Sequence, residues 1–294
     1  MAVLGKGEAN GAISLLHAAG LGYGASLAID LPLIVRLLDT PYKTEPDDQD
    51  NILGHTVNVW QENGYPIPAE ELHWAVISKI PQRQGLKSSS ALCIAALRAL
   101  CDATNTQLDD SIMVDLARNI QLIAGVSMTG SIDDSWACLT GGWKLVDINA
   151  PSSAEGIIVE SPGLPSSDWE IVIVVGKERD RKLTLEDFAT QQSAFLQAFN
   201  ALQEGNEIIA MTWNGRAMLG ILNDTELRKM TNDSFINGAR AATVSGSGNA
   251  MAILVPAASS ALLSHIVSWY TQRSEHKVIQ AKIINGPVPK VNED

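Results

Sequence analysis

Three stretches of this 294-residue chain combine side chains whose types and spacing suit chemistry. The first covers residues 81–91, PQRQGLKSSSA. A proline and a glycine interrupt regular structure there, three hydroxyl residues follow, and Leu92, Ala95, Ala96 and Leu100 then recur at helical spacing. A loop that opens onto a helix presents free backbone N–H groups and the positive end of the helix dipole. Gly85, Leu86, Lys87, Ser88, Ser89 and Ser90 therefore make a candidate anion site that suits a nucleotide phosphate. The same residues read equally as an ordinary serine-capped helix. The second stretch, VSMTGSIDDSWACLTGG, carries the adjacent carboxylates Asp133 and Asp134. Sequence neighbours face opposite ways on a strand and diverge by about 100° on a helix, so only one need enter a cleft. An acidic first turn of a capped helix is the bland alternative. The third, ATVSGSGNAMAILV, is a glycine-rich turn (Ser245, Gly246, Ser247, Gly248) opening onto an apolar strand, and alone it is a weak signal.

A fourth feature is the cation cluster Lys177, Arg179, Arg181 and Lys182 in KERDRKLTLEDF. Its planar guanidinium groups, on Arg179 or Arg181, could grip a substrate carboxylate, and a solvated loop fits the same residues.

The elements that would position these groups can be read in outline. Residues 5–38 are rich in Gly and Ala and end in the strand-like run ASLAIDLPLIVRLLD. Close-set Gly20, Gly22, Gly24 and Ala25 let backbone approach backbone or ligand. Neither GxGxxG nor GxxxxGK[ST] occurs, which excludes a P-loop kinase. A helix is expected over 51–62, with Asp50 as N-cap, and LHWAVISKI is expected to be a strand entering the 81–91 loop. Further helices are expected over 108–124, 185–205, 207–222 and 259–271, and strands at WKLVDI, EIVIVVG and from 277 onward. The Phe188, Phe195, Phe199 stripe reads as core. The Pro/Ser-rich segment 161–168 marks a domain junction, giving domains over 1–160 and 161–294, and the tail suits a split β-α-β unit. The class is α+β, with two domains sharing a cleft.

A formal net charge of −12 argues against a nucleic-acid or anionic-membrane partner. Three cysteines, Cys93, Cys101 and Cys138, are too few and scattered for a disulfide framework or a CxxC metal site. The five histidines, His17, His55, His73, His265 and His276, share no spacing for zinc or for a Ser-His hydrolase. No apolar run reaches membrane-spanning length and the N-terminus has no signal-peptide pattern, so a cytoplasmic enzyme is expected.

The PxxxGLxSSxA pattern resembles the phosphate loop of the GHMP kinases, the family named for galactokinase, homoserine kinase, mevalonate kinase and phosphomevalonate kinase. The second and third stretches follow in that family's order and separation. The opening GKGEANGAISLLHAAGLGYGASLAIDL and the TGSIDDSWA segment are similar to the archaeal-type shikimate kinase branch. The resemblance implies a two-domain α+β fold with a ferredoxin-like C-terminal domain and ATP bound between the domains. It also implies Mg²⁺ and phosphoryl transfer to the 3-hydroxyl of shikimate, on the route to chorismate and aromatic amino acids. Homoserine or mevalonate-type kinases, and a silent nucleotide-binding member, are the alternatives. The resemblance makes Asp133 the catalytic carboxylate with Lys6 as its partner, and gives Asp134 the lesser part. It assigns residues 85–90 and 245–248 to the nucleotide, Ser89 to the metal, and Asp30 (with Arg179 and Arg181) to the acceptor. Two departures stand out. The metal-binding Glu found about ten residues before the catalytic Asp is replaced by Leu122, Ile123 and Ala124, leaving Asn119 or Gln121 to fill in, or the metal to lean on Ser89, Asp133, phosphates and water. Lys87 stands where many relatives carry Gly or Ser, and either contacts phosphates or points into solvent. The partners expected are small molecules, with oligomeric state left open.

Overall fold

The computed structural model describes residues 1–176, 183–273 and 276–288. Its first half is built on a long antiparallel hairpin, β1 (Val3–Leu16) and β2 (Tyr23–Leu38), joined through one 3₁₀ turn at Ala18–Gly20. From Gly11 to Leu16 every residue of β1 is buried, so this end of the hairpin is covered on both faces. The far end of β2 pairs with β3 (His73–Ser78) and its start with β4 (Trp143–Asp147), which pairs in turn with β5 (Ile157–Ser161). Two helices pack on this sheet, α2 (Ser88–Thr104) and α4 (Ile132–Thr140), and α1 (Ile52–Glu62) and α3 (Asp110–Ile123) pack against the helices. Small residues set the closeness of α2 to β1. A Cβ on Gly5 or Gly7 would lie 2.2 or 1.9 Å from the carbonyl oxygens of Ala99 or Ala95, so only glycine lets the Ala-rich helix lie this near the strand.

The second half forms a four-stranded antiparallel sheet from β6 (Trp169–Val174), β7 (Ala241–Val244), β8 (Met251–Pro256) and β9 (Val278–Lys282), in the order β7-β8-β6-β9. Between β6 and β7 run α5 (Leu185–Ala189), α6 (Gln192–Gln203), α7 (Glu207–Leu222) and α8 (Thr225–Ile236), and α9 (Ser260–Arg273) links β8 to β9. This is the strand order of two interleaved β-α-β units. The chain after β9 returns to the first sheet: Ile284 N–H donates to Ala28 O at 3.0 Å, and Gly142 N–H to Ile284 O at 2.8 Å. One apolar core runs continuously through both halves.

Three local expectations are corrected. The cap of α1 is Asp48, not Asp50: its carboxylate accepts from Ile52 N–H at 2.8 Å and Leu53 N–H at 2.7 Å, while Asn51 turns the chain at φ 52°. The helix expected over 185–205 is two helices, because the Thr190 hydroxyl takes the Asp187 carbonyl at 2.6 Å and ends α5. Helix α8 was not expected, its sequence TELRKMTNDSFI being too polar to show a stripe. Asp224 caps it through Leu227 N–H at 3.0 Å.

Candidate active site

The two glycine-rich segments meet backbone on backbone. Gly85 has φ +76°, and a Cβ there would lie 1.9 Å from Ser245 O; one on Gly248 would lie 2.2 Å from the Gly85 nitrogen. Each glycine is thus fixed by the other segment. Ser245 Oγ donates to Gly85 O at 2.7 Å, and Ala250 N–H donates to Gln84 O at 3.2 Å. The end of β1 joins them: Ala12 N–H donates to Leu86 O at 3.3 Å, and Ser14 Oγ accepts from Gly246 N–H at 3.0 Å and from Lys87 Nζ at 2.8 Å. Leu86 is fully buried beneath this junction, whereas Ser247 is exposed.

Helix α2 starts at Ser88 directly after Lys87, which is held at φ 66°. Ser88 and Ser89 occupy the free first turn, partly exposed. Ser90 turns inward and donates to Gln121 Oε1 at 2.8 Å. Gln121, itself buried, donates to Ser135 Oγ at 3.1 Å and Ala117 O at 3.2 Å, which ties α2, α3 and α4 together. Of the two residues that could replace the missing Glu, Gln121 therefore lies beside the loop, with its oxygen engaged by Ser90, while Asn119 is exposed on α3.

Helix α4 follows Ser131 (φ 50°), and its first turn brings both carboxylates to the inner end of the hairpin. Ser26 Oγ lies 3.1 Å from Asp133 Oδ2 and 2.7 Å from Asp134 Oδ1. Lys87 Nζ completes the cluster at 2.9 Å from Asp134 Oδ1. A Cβ on Gly24 would sit 2.7 Å from the Asp133 carboxyl, so this strand position must be bare for the carboxyl to fit. Burial pushes the Asp133 carboxyl up, Asp134 beside it adds to the shift, and Lys87 offsets only part, so its pKa is raised to about 8. Asp134 is equally buried, but the Lys87 charge and hydrogen bond outweigh burial and hold it below the usual carboxylate range. Lys87 loses by burial and gains more from the two aspartates, and stays charged. The site therefore holds a fixed ion pair beside a carboxyl that titrates near neutrality, the arrangement that suits a proton acceptor.

Two expected site residues are not brought here. Lys6 lies eight residues before Ser14 on β1, roughly 26 Å away at ~3.3 Å per strand residue; it is exposed, faces Arg36 across the hairpin and pairs with Glu8. Lys87 is the cation beside the carboxylates instead. Asp30 is exposed four residues past Ser26, and its carboxylate accepts Lys282 N–H at 2.6 Å, pinning β9 to β2. Arg179 and Arg181, with Lys177 and Lys182, lie outside the described residues. Ser14 and Ser26 are site residues that sequence reasoning missed. The hairpin register that pairs Ser14 with Ser26 was their only signal. No group of three or more His, Cys, Asp or Glu forms a metal cluster among the described residues.

Residues 51–142 match the family described as GHMP kinases N terminal domain. The chain is 32% identical over 183 residues to a shikimate kinase of Methanothrix thermoacetophila, covering 60% of this chain and 59% of that protein. It thus spans less than two thirds of that relative's length. It is 26% identical over 297 residues to a shikimate kinase of Methanosarcina acetivorans, covering 96% and 94%. Among solved structures, the Methanococcus jannaschii mevalonate kinase superposes with a TM-score of 0.75 at 15% identity, over 95% of this chain and 98% of that one, a likeness of fold. Residues 51–142 thus match a GHMP kinase N-terminal domain, and the fold as a whole is like that of the mevalonate kinase.

Proposed function

We propose that the chain transfers the γ-phosphoryl group of ATP to the 3-hydroxyl of shikimate. The observation that carries the reading is Asp133, a buried carboxyl raised towards neutrality, set beside the Lys87–Asp134 ion pair where both glycine-rich segments and the first turn of α2 converge. Phosphates would lie against the N–H groups of that turn, with Lys87 balancing their charge. The acceptor oxygen attacks the γ-phosphorus, the bond to the ADP oxygen breaks, and the hydroxyl proton passes to Asp133. The similarity to archaeal shikimate kinases supports the acceptor. Its carboxylate would be held by Arg179 or Arg181. Mg²⁺ suits the hard oxygen donors present, Asp133 and the Ser89 hydroxyl, which with phosphate oxygens and water would complete its shell. When bound it would neutralise charge on the phosphates. We place the division between the domains at residues 160 and 161, with the nucleotide between them. No described helix is long and apolar enough to cross a membrane, and a cytoplasmic location fits the proposed substrates. A coupled ADP-release assay with shikimate, homoserine and mevalonate tests the reading: turnover of shikimate alone supports it, and turnover of another acceptor in its place overturns it.

A further inference from the structure

The outer strands of a sheet turn N–H and C=O groups away from their only neighbour, and proteins commonly blunt such edges with charge, bulges or covering segments. The free edge of β1 is covered. Asp102 Oδ2 accepts from Lys6 N–H at 2.8 Å, Arg98 donates to Glu8 O at 2.6 Å, and Leu86 O and Ser245 Oγ accept from the N–H groups of Ala12 and Ser14. Strand β5 carries Glu160 within its five residues and meets β4 across a register shift. In the second sheet, the four residues of β7 are all buried, and Lys282 of β9 gives its N–H to Asp30.

Strand β3 has none of these devices. It reads HWAVIS, with no proline and no Lys, Arg, Asp or Glu. Its pairs with β2 follow one another from Leu33↔Ser78 to Leu38↔His73 without a register shift, so the strand carries no bulge. An antiparallel neighbour satisfies only alternate backbone groups, and the others of β3 point away from β2. Among the described residues, no backbone or side-chain group bonds to that outer edge. Ile77 on this strand is 55% exposed, and Trp74 and Val76 are half-buried.

We infer that β3 pairs with β3 of a second copy of this chain, antiparallel and about a two-fold axis at Ala75. Such a pairing is self-complementary, because each chain presents the same edge to the other. Centred on Ala75, it sets Trp74 opposite Val76, His73 opposite Ile77 and Glu71 opposite Lys79. The last pair selects the register. The Glu71 side chain is 86% exposed, and Lys79 is exposed with no carboxylate partner among the described residues. Each chain therefore offers a charge of each sign just beyond opposite ends of β3, and the dimer forms two Glu71–Lys79 contacts. Moving the axis to Trp74 sets Glu71 against Ile77, moving it to Val76 sets Lys79 against His73, and either shift loses both contacts. The pairing also covers exposed Ile77 with the other copy's His73. Copies with net charge −12 repel one another at long range, so the attraction must come from hydrogen bonds and opposite charges brought close at this edge. The inference is independent of the kinase reading.

Sedimentation equilibrium of the full chain, from low to high micromolar concentration, should give a mass approaching twice the 31.5 kDa of one chain. Glu71→Lys and Lys79→Glu each set like charges against each other at both ends of the pairing, and each should raise the dimer dissociation constant on the order of tenfold. The double variant Glu71→Lys/Lys79→Glu remakes both contacts in reverse and should return the constant to within about threefold of wild type. Both residues are exposed, so thermal melts of the single variants should match the wild type. Amide hydrogen exchange over residues 73–78 should slow with rising protein concentration in the wild type and the double variant. A monomer at every concentration, a dimer unmoved by either single variant, a loss that the double variant does not recover, or exchange that ignores concentration overturns the inference.

Discussion

Replacing Lys87 with Met tests the charge balance of the site directly. The Lys87 side chain is 8% exposed and that of Asp134 13%, so their 2.9 Å contact is little screened. Met keeps most of the apolar stem and removes the charge, leaving two buried carboxyls facing Ser26 without a cation. Breaking a buried pair by removing one partner costs about 3–5 kcal/mol. The pH dependence follows from the shifts. In the wild type Asp134 is held below its unfolded value, so it stabilises above roughly pH 4 and that stabilisation is lost as pH falls through its folded value. Without Lys87, burial and mutual repulsion raise both carboxyls above their unfolded values, so the variant is penalised increasingly as pH rises past about 4. The difference between the two proteins should be largest near pH 7 and shrink towards pH 4. Adding Asp134→Asn to the Met variant should recover about 1.5 kcal/mol or more, as expected for residues in contact. Urea unfolding with an unchanged m value measures all three quantities. A loss below about 1 kcal/mol at pH 7, or one that is flat from pH 4 to 7, would refute the reasoning.

Gly24→Ala drives a methyl to within 2.7 Å of the Asp133 carboxyl, so we expect kcat to fall about tenfold or more, alongside the ~1–3 kcal/mol typical of overpacking; thermal melts and steady-state rates separate the two effects. Lys6→Ala should leave kcat and both KM values within about twofold, since an exposed strand pair contributes little; a large loss in kcat would return Lys6 to the site. Asp48→Ala should destabilise by ~1 kcal/mol without altering kinetics, which chemical denaturation and the ADP-release assay would check.

What the sequence revealed was mostly local. The loop into α2, the acidic first turn of α4 and the turn into β8 each carry their signal within a dozen residues, through glycine, serine and apolar spacing. What it hid depends on register and on contacts between distant segments. Lys6 looked suitable because a Gly-Lys pair opens β1, yet strand geometry carries it far from Asp133, and the lysine that reaches the carboxylates comes from the loop ahead of α2. Ser14 and Ser26 acquire meaning only once the hairpin pairs them. Asp30 is spent on the Lys282 backbone, a contact across 252 residues that no local pattern encodes. Asp48 and Asp50 are equally good caps by type, and the left-handed turn at Asn51 selects between them.

The central claim is that Asp133 serves phosphoryl transfer from ATP to the 3-hydroxyl of shikimate. It is tested most directly by following wild type and Asp133→Asn with ATP, Mg²⁺ and shikimate by ³¹P NMR. The wild type should build a phosphomonoester resonance coupled to the proton at carbon 3, in step with ADP. The Asn variant should do so about 10²- to 10⁴-fold more slowly while its nucleotide affinity holds. Absence of that resonance with the wild type, or a near-normal rate in the variant, would contradict the account.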